Sequence, residues 1–284
     1  MVKFFSPAHV SGFFSIHEDS DLLRMGSIGG GICLSSGVIT SASAVKGKEK
    51  VEIFINGIPS NAPVSRMAAS KLMPDGYDLT IRSEIQLPIG QGFGMSGAGA
   101  LTTAMAIVDL FGNFTKGEAI RAAHEAEVEQ RTGLGDIAAQ SVGGAVIRSR
   151  PGIPPFGSVE RIDGTEEILL AVIGEPLSTR SILGDLGKRD LINKAALDAL
   201  ASLSHERSVE KLFQVSYEFA TRTCLISPEV QRGVLEARKH GLASQAMLGN
   251  SLFAMGDMEK MAGALGEIGK VYRCSVDRGG AREW

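Results

Sequence analysis

Cysteine, charge of one sign and long apolar runs are all scarce in this chain. The three cysteines, Cys33, Cys224 and Cys274, are far apart, odd in number and without metal-ligand spacing. They read as small buried apolar residues in a reducing compartment, and the expected location is cytoplasmic. Acidic and basic residues nearly cancel, at 32 against 29, for a net charge of −3. That balance excludes a sequence-wide commitment to nucleic acid or to a membrane surface, and it points to a small-molecule partner. No apolar run approaches the roughly eighteen residues of a membrane span. The start, Met1 to Pro7, is too short in its apolar part for a signal peptide and reads as a first strand.

What the chain has in quantity is glycine, 35 residues in 284, gathered in clusters between periodic segments. The length suits two domains. Val51, Ile53 and Ile55 alternate up to Asn56-Gly57, which predicts a strand closing a hairpin, and Tyr77, Leu79 and Ile81 alternate likewise. Two helices follow, one carrying Leu101, Ala104, Met105 and Val108 until Gly112, the other starting at a Thr115 cap with Glu118 as its capping box. After a strand at Ala145 to Ile147, the segment 150–157 resists regular structure. It marks the division between residues 1–160 and 161–284. The second half reads as an apolar strand at 168–173, helices near 190–203, 208–222 and 228–240, and a last strand at 271–275, so the class is α+β.

Between the strands and the helices lies Pro88-Ile89-Gly90-Gln91-Gly92-Phe93-Gly94-Met95-Ser96-Gly97-Ala98. Glycines let a backbone approach a ligand closely, and the helix that follows aims its free N–H groups at the same place, so the run reads as a phosphate cradle. It lacks the lysine of a P-loop, and it lacks the spacing and the acidic partner of a Rossmann turn. The alternative is a turn that only packs helix on strand. Gly26 to Gly31 can likewise hold a small anion or be a simple turn.

In the second helix, at 100° per residue, Ile120, Ala123, His124, Glu127 and Arg131 share one face while Glu125 and Glu129 point away. Glu127 is the inward carboxylate, either spent in an ion pair with Arg131 or used for chemistry. Asp136, nine residues on across Gly133-Leu134-Gly135, can converge with it on one cation or one hydroxyl. Together with the cradle this gives a magnesium-dependent phosphoryl-transfer site. His9 reads as a core histidine sooner than a catalytic one, and Arg148 suits a carboxylate partner.

These segments resemble the galactokinase, homoserine kinase, mevalonate kinase and phosphomevalonate kinase superfamily. Pro88 to Ala98 is similar to its glycine-rich motif, with Met95 in place of the usual first serine; Ser6 to Val10 and Ala246 to Ser251 resemble its first and third motifs. Ser-Pro-Ala-His-Val-Ser-Gly-Phe-Phe, Gly-Met-Ser and His-Glu-Ala-Glu-Val-Glu-Gln-Arg-Thr-Gly-Leu-Gly-Asp are most similar to the archaeal branch that phosphorylates pantoate. The resemblance implies a ribosomal-protein-S5-domain-2-like amino-terminal domain and a ferredoxin-like carboxy-terminal one, with ATP in the cleft between them. It implies that Ser96 and Glu127 support Mg2+ and the phosphates, that Asp136 orients or deprotonates the acceptor hydroxyl, and that Ser27, His124 and Arg148 hold the acceptor, with His9 beside them. Family members often dimerise, so a homodimer is within what it implies. Homoserine or mevalonate is the runner-up acceptor. A non-catalytic ligand-binding regulator on the same fold would not need to keep both Glu127 and Asp136.

Overall fold

The computed structural model describes residues 2–164, 166–177 and 186–284. The amino-terminal half is a mixed sheet under helices. β1 (Phe4–Phe14) lies antiparallel to β2 (Gly29–Lys46), whose other edge pairs first with β6 (Ala145–Arg150) and then with β5 (Tyr77–Ile85). β3 (Val51–Ile55) lies parallel to β5 and turns through Asn56 and Gly57, both at positive φ, into the two-residue β4 (Ile58–Pro59), so the expected hairpin is present. β7 (Ser158–Ile162) extends the sheet from β6.

Helices α1 (Pro63–Leu72), α2 (Met95–Phe111) and α3 (Lys116–Glu129) pack together, α2 also packs on β1 and β2, and the short α4 (Asp136–Val142) packs on α2 and α3. Alanine makes the close approach possible: Ala98, Ala100 and Ala104 of α2 and Ala119, Ala123 and Ala126 of α3 are fully buried. Thr115 and Glu118 close the expected capping box, which fixes where α3 begins. Among the elements that sequence periodicity missed are α1 and β2. In α1 the buried stripe is mostly alanine and serine, which carries little contrast. The 18-residue β2 is broken by glycine and serine and shows no clean alternation.

After the irregular segment at 150–157 come β8 (Glu167–Val172), helices α5 (Leu186–His205), α6 (Val209–Thr223) and α7 (Pro228–Ala237), the hairpin β9 (Gly241–Ala246) and β10 (Ser251–Gly256), α8 (Met258–Gly266) and β11 (Lys270–Ser275). Their antiparallel order, β11-β8-β10-β9, is the ferredoxin-like arrangement. The chain then returns to the first sheet, where β12 (Arg282–Glu283) pairs with β1. One apolar core joins the halves: Phe13 and Phe14 of β1 lie 6.3 and 5.8 Å from the ring of Phe219 in α6, and Phe213 lies 4.6 Å from Phe253 of β10. Each such aromatic pair adds about 0.5–1.5 kcal/mol beyond burial. Among the described residues no helix is long and apolar enough to cross a membrane.

The β9–β10 turn presses on the glycine-rich loop. A Cβ on Gly249 would stand 2.2 Å from the Gln91 carbonyl carbon, and the Ser251 hydroxyl donates to the Gln91 carbonyl. Gly249→Ala is expected to cost about 1–3 kcal/mol by overpacking. Gly263→Ala, in open space on α8, is expected to stabilise by about 0.5–1 kcal/mol. Urea unfolding of the two variants, compared with the parent, checks both signs.

Candidate active site

The glycine-rich loop, the first turn of α2, the 131–136 turn and the β9–β10 turn enclose a cleft of about 360 Å³. Gly90, Gly92, Gly94, Met95, Ser96 and Gly97 line it, as do Ser27 and Asp136. Pro88 and Ala98 are not on its wall: Pro88 precedes the loop, and Ala98 is buried inside α2. Gly94 caps α2 with φ 62, and a Cβ there would lie 3.1 Å from the Asp136 carboxyl carbon. A side chain would therefore be both strained and crowded at the one place where loop and carboxylate meet.

Behind the wall runs a buried polar chain. Asp136 Oδ1 lies 2.7 Å from His9 Nδ1, and Arg148 Nη1 lies 3.2 Å from His9 Nε2. A guanidinium can only donate, so His9 Nε2 is the acceptor and its Nδ1–H donates to Asp136. Burial pushes the His9 pKa down, Asp136 pulls it up and Arg148 pushes it down again, which is the neutral form that this tautomer requires. The chain crosses the sheet. His9 is on β1 and Arg148 on β6, strands separated by β2, so the arginine spans about 9–10 Å over a neighbour. It can do so because β2 carries Gly29-Gly30-Gly31 there: a Cβ on Gly31 would sit 2.4 Å from His9 Nε2, and one on Gly29 would sit 2.9 Å from Arg148 Nη2. Those glycines are paired strand residues, so the anion-nest reading of Gly26 to Gly31 is corrected.

Glu127 is inward and 1% exposed, while Glu125 and Glu129 face out and share Lys71 at 2.9 and 2.7 Å. Burial pushes the Glu127 carboxyl well above the usual carboxylate range, and the Asp136 charge adds to the push. The Ile137 N–H and Arg148 act against it. Its Oε2 has no partner. The i,i+4 pair with Arg131 does not form, because α3 stops at Glu129 and Arg131 takes a left-handed φ of 53. Arg131 instead lines the cleft.

The remaining candidates divide. Ser27 lines the cleft beside Arg148: a Cβ on Gly135 would fall 2.5 Å from Ser27 Oγ and 2.7 Å from Arg148 Nε, which has no partner. His124 is off the wall, its Nε2–H shared between the carbonyls of Leu22 and Met25 at 3.0 and 3.1 Å. His9 is fully buried behind Asp136. Ser251 braces the glycine loop at Gln91 and Asn250 donates to the Glu175 carbonyl, whereas Met247 and Leu248 reach the cleft. Phe14, Arg131 and Leu134 were not singled out from sequence as cleft residues. Phe14 and Leu134 look like core there, and Arg131 looked like an ion-pair partner.

A family model described as the GHMP kinases N terminal domain matches residues 62–144. A pantoate kinase of Methanocaldococcus jannaschii is 34% identical over 96% of this chain and 99% of its own length. The chain belongs to the pantoate kinase family. A second member, from Methanospirillum hungatei, is 34% identical over 98% of this chain and 95% of its own. A solved structure described as a phosphotransferase related to the CoA biosynthesis pathway superposes with TM-score 0.91 at 29% identity, covering 100% of this chain and 98% of the other. The expected kinase fold is therefore present, and the chain is a phosphotransferase that draws on a nucleotide.

Two buried histidines set an acid limit. Burial lowers the pKa of both His9 and His124, so the unfolded chain takes up these protons first as pH falls. Their stability contribution is complete above the ordinary histidine pKa of about 6.5 and is lost below it, by up to about 1.4 kcal/mol per pH unit for each. Urea midpoints of the parent are expected to fall between about pH 6.5 and 5, and His124→Gln to fall less steeply.

Proposed function

We propose that this chain transfers the γ-phosphoryl group of ATP to the 4-hydroxyl of pantoate, giving 4-phosphopantoate for coenzyme A synthesis. The carrying observation is the Ser27 hydroxyl on the wall of the cleft that Ser96 also lines, with the unpartnered Arg148 Nε beside it at Gly135 and Arg148 joined through His9 to Asp136. A carboxylate acceptor satisfies that orphaned donor. Phe14, Leu134, Met247 and Leu248 give the same cleft an apolar wall suited to the two methyl groups of pantoate. Asp136 is the one carboxylate lining it among the described residues, which leaves no second acid for the ammonium of homoserine.

In this reading Asp136 accepts the hydroxyl proton as the oxygen–phosphorus bond forms and the bond to the nucleotide's β-phosphate oxygen breaks. His9 holds one Asp136 oxygen through its Nδ1–H. Arg148 and Ser27 orient the acceptor, and His124 serves indirectly by fixing the 22–25 turn ahead of Ser27. The Met95 to Gly97 turn offers its N–H groups to phosphates at a helix start, the Ala98 N–H being taken by the Gly94 carbonyl. Mg2+ fits the residues present: Glu127 has an unpartnered oxygen, and Gly97 and Gly133 keep side chains off the buried carboxylate, since a Cβ on either would lie 2.7 or 2.6 Å from its Oε1. One carboxylate, the Ser96 hydroxyl and nucleotide phosphates make up the sparse protein set this ion accepts, and it would neutralise phosphate charge. Residues 1–160 supply most of these groups, with 161–284 as the second domain closing the cleft.

In a coupled ADP-release assay with Mg-ATP, pantoate is expected to turn over and mevalonate, homoserine and shikimate to do so poorly. Turnover of another acceptor without pantoate would sink the assignment. Asp136→Asn is expected to lower kcat by about 10²–10⁴, the range of a lost general base, and a loss under tenfold would make it an orienting group only. Chelation by EDTA is expected to abolish turnover, with recovery on adding Mg2+.

A further inference from the structure

We propose that Arg131 carries the charge of the transferring phosphoryl group, a task that the glycine loop lacks a residue for and that Arg148 is too deeply committed to perform. The inference rests on the phosphoryl-transfer reading above. Among the described residues lining the cleft, Arg131 is the one cation. Arg148 is 2% exposed and is spent on His9 and Ser11. The glycine loop places Met95-Ser96 where a P-loop would carry its lysine. In-line transfer spreads negative charge over three equatorial oxygens, and a guanidinium fork is the side chain best matched to them.

Two further observations point the same way. Arg131 is exposed and has no ion-pair partner within 4 Å among the described residues. Glu18, whose carboxyl feels its charge, is bonded to Arg189. Its backbone is left-handed at φ 53, just past the Gln130 cap of α3, where glycine or asparagine would be the unstrained choice. The position thus departs from what helix termination favours while setting a guanidinium on the turn between Glu127 and Asp136.

Arg131→Asn removes the charge and suits the left-handed backbone, so folding is preserved; Arg131→Lys keeps the charge without the fork. Each is assayed for kcat and KM, and each is titrated with Mg-ADP and with the non-hydrolysable triphosphate Mg-AMP-PNP by calorimetry. For Arg131→Asn the expected result is a kcat lower by about 10²–10³, as for loss of one transition-state donor. Affinity for AMP-PNP should weaken about tenfold, the scale of one charge-assisted contact, with ADP affinity and pantoate KM within about twofold. Arg131→Lys should recover most of the AMP-PNP affinity and only part of kcat. The proposal is overturned if AMP-PNP and ADP affinities change together or not at all, or if the effect is confined to pantoate KM. The binding arm needs no acceptor. A parent enzyme that ignores pantoate while the triphosphate preference follows Arg131 would sink the substrate assignment and leave this inference standing.

Discussion

The site depends on one buried chain of hydrogen bonds, Arg148 to His9 to Asp136, laid across three strands of the first sheet. Each member fixes the next by donor and acceptor logic. The arginine can only donate, the imidazole must then offer a bare Nε2, and its remaining proton goes to the carboxylate. Removing the middle member would leave a guanidinium and a carboxylate both buried in part and both unpaired, a cost of several kcal/mol per ion. A single neutral ring thus holds the Arg148 guanidinium and the Asp136 carboxylate in one frame.

That chain explains features that look unrelated in the sequence. Gly29-Gly30-Gly31 leaves β2 bare where the arginine passes over it, and Gly94 and Gly135 leave space at the Asp136 carboxyl and beside Ser27 and Arg148. The β9–β10 turn locks onto Gln91 and so ties the second sheet to the nucleotide loop. Glu127 stands deeper, with one carboxylate oxygen unpartnered and its carboxyl pushed by burial toward the neutral form. The fold stores polar groups without partners at the place where ligands would satisfy them.

Much of the architecture was legible because periodicity survives where helices and strands are half-buried. The Thr115 capping box, the Asn56-Gly57 turn, the inward Glu127 and the outward Glu125 and Glu129 all follow from spacing, and the structure has each of them. Contrast failed where a helix buries mostly small residues, as in α1, or where a strand is buried on both faces, as along β2. It also failed where the chain leaves a helix early. The wheel that put Arg131 beside Glu127 assumed one more turn of α3 than the left-handed residue allows.

The sequence by itself determined the family, the nucleotide loop and the residue types of the site, because motifs are local and their glycines and caps act on near neighbours. Only the tertiary structure decided what those residues do to one another. Sequence placed His9 and His124 among the residues that hold the acceptor; burial and partners make one a link behind Asp136 and the other a brace for the 22–25 turn. Partnership across a sheet depends on strand order and register, which bring residue 9 to residues 136 and 148, each more than a hundred positions away, and no local pattern encodes that meeting.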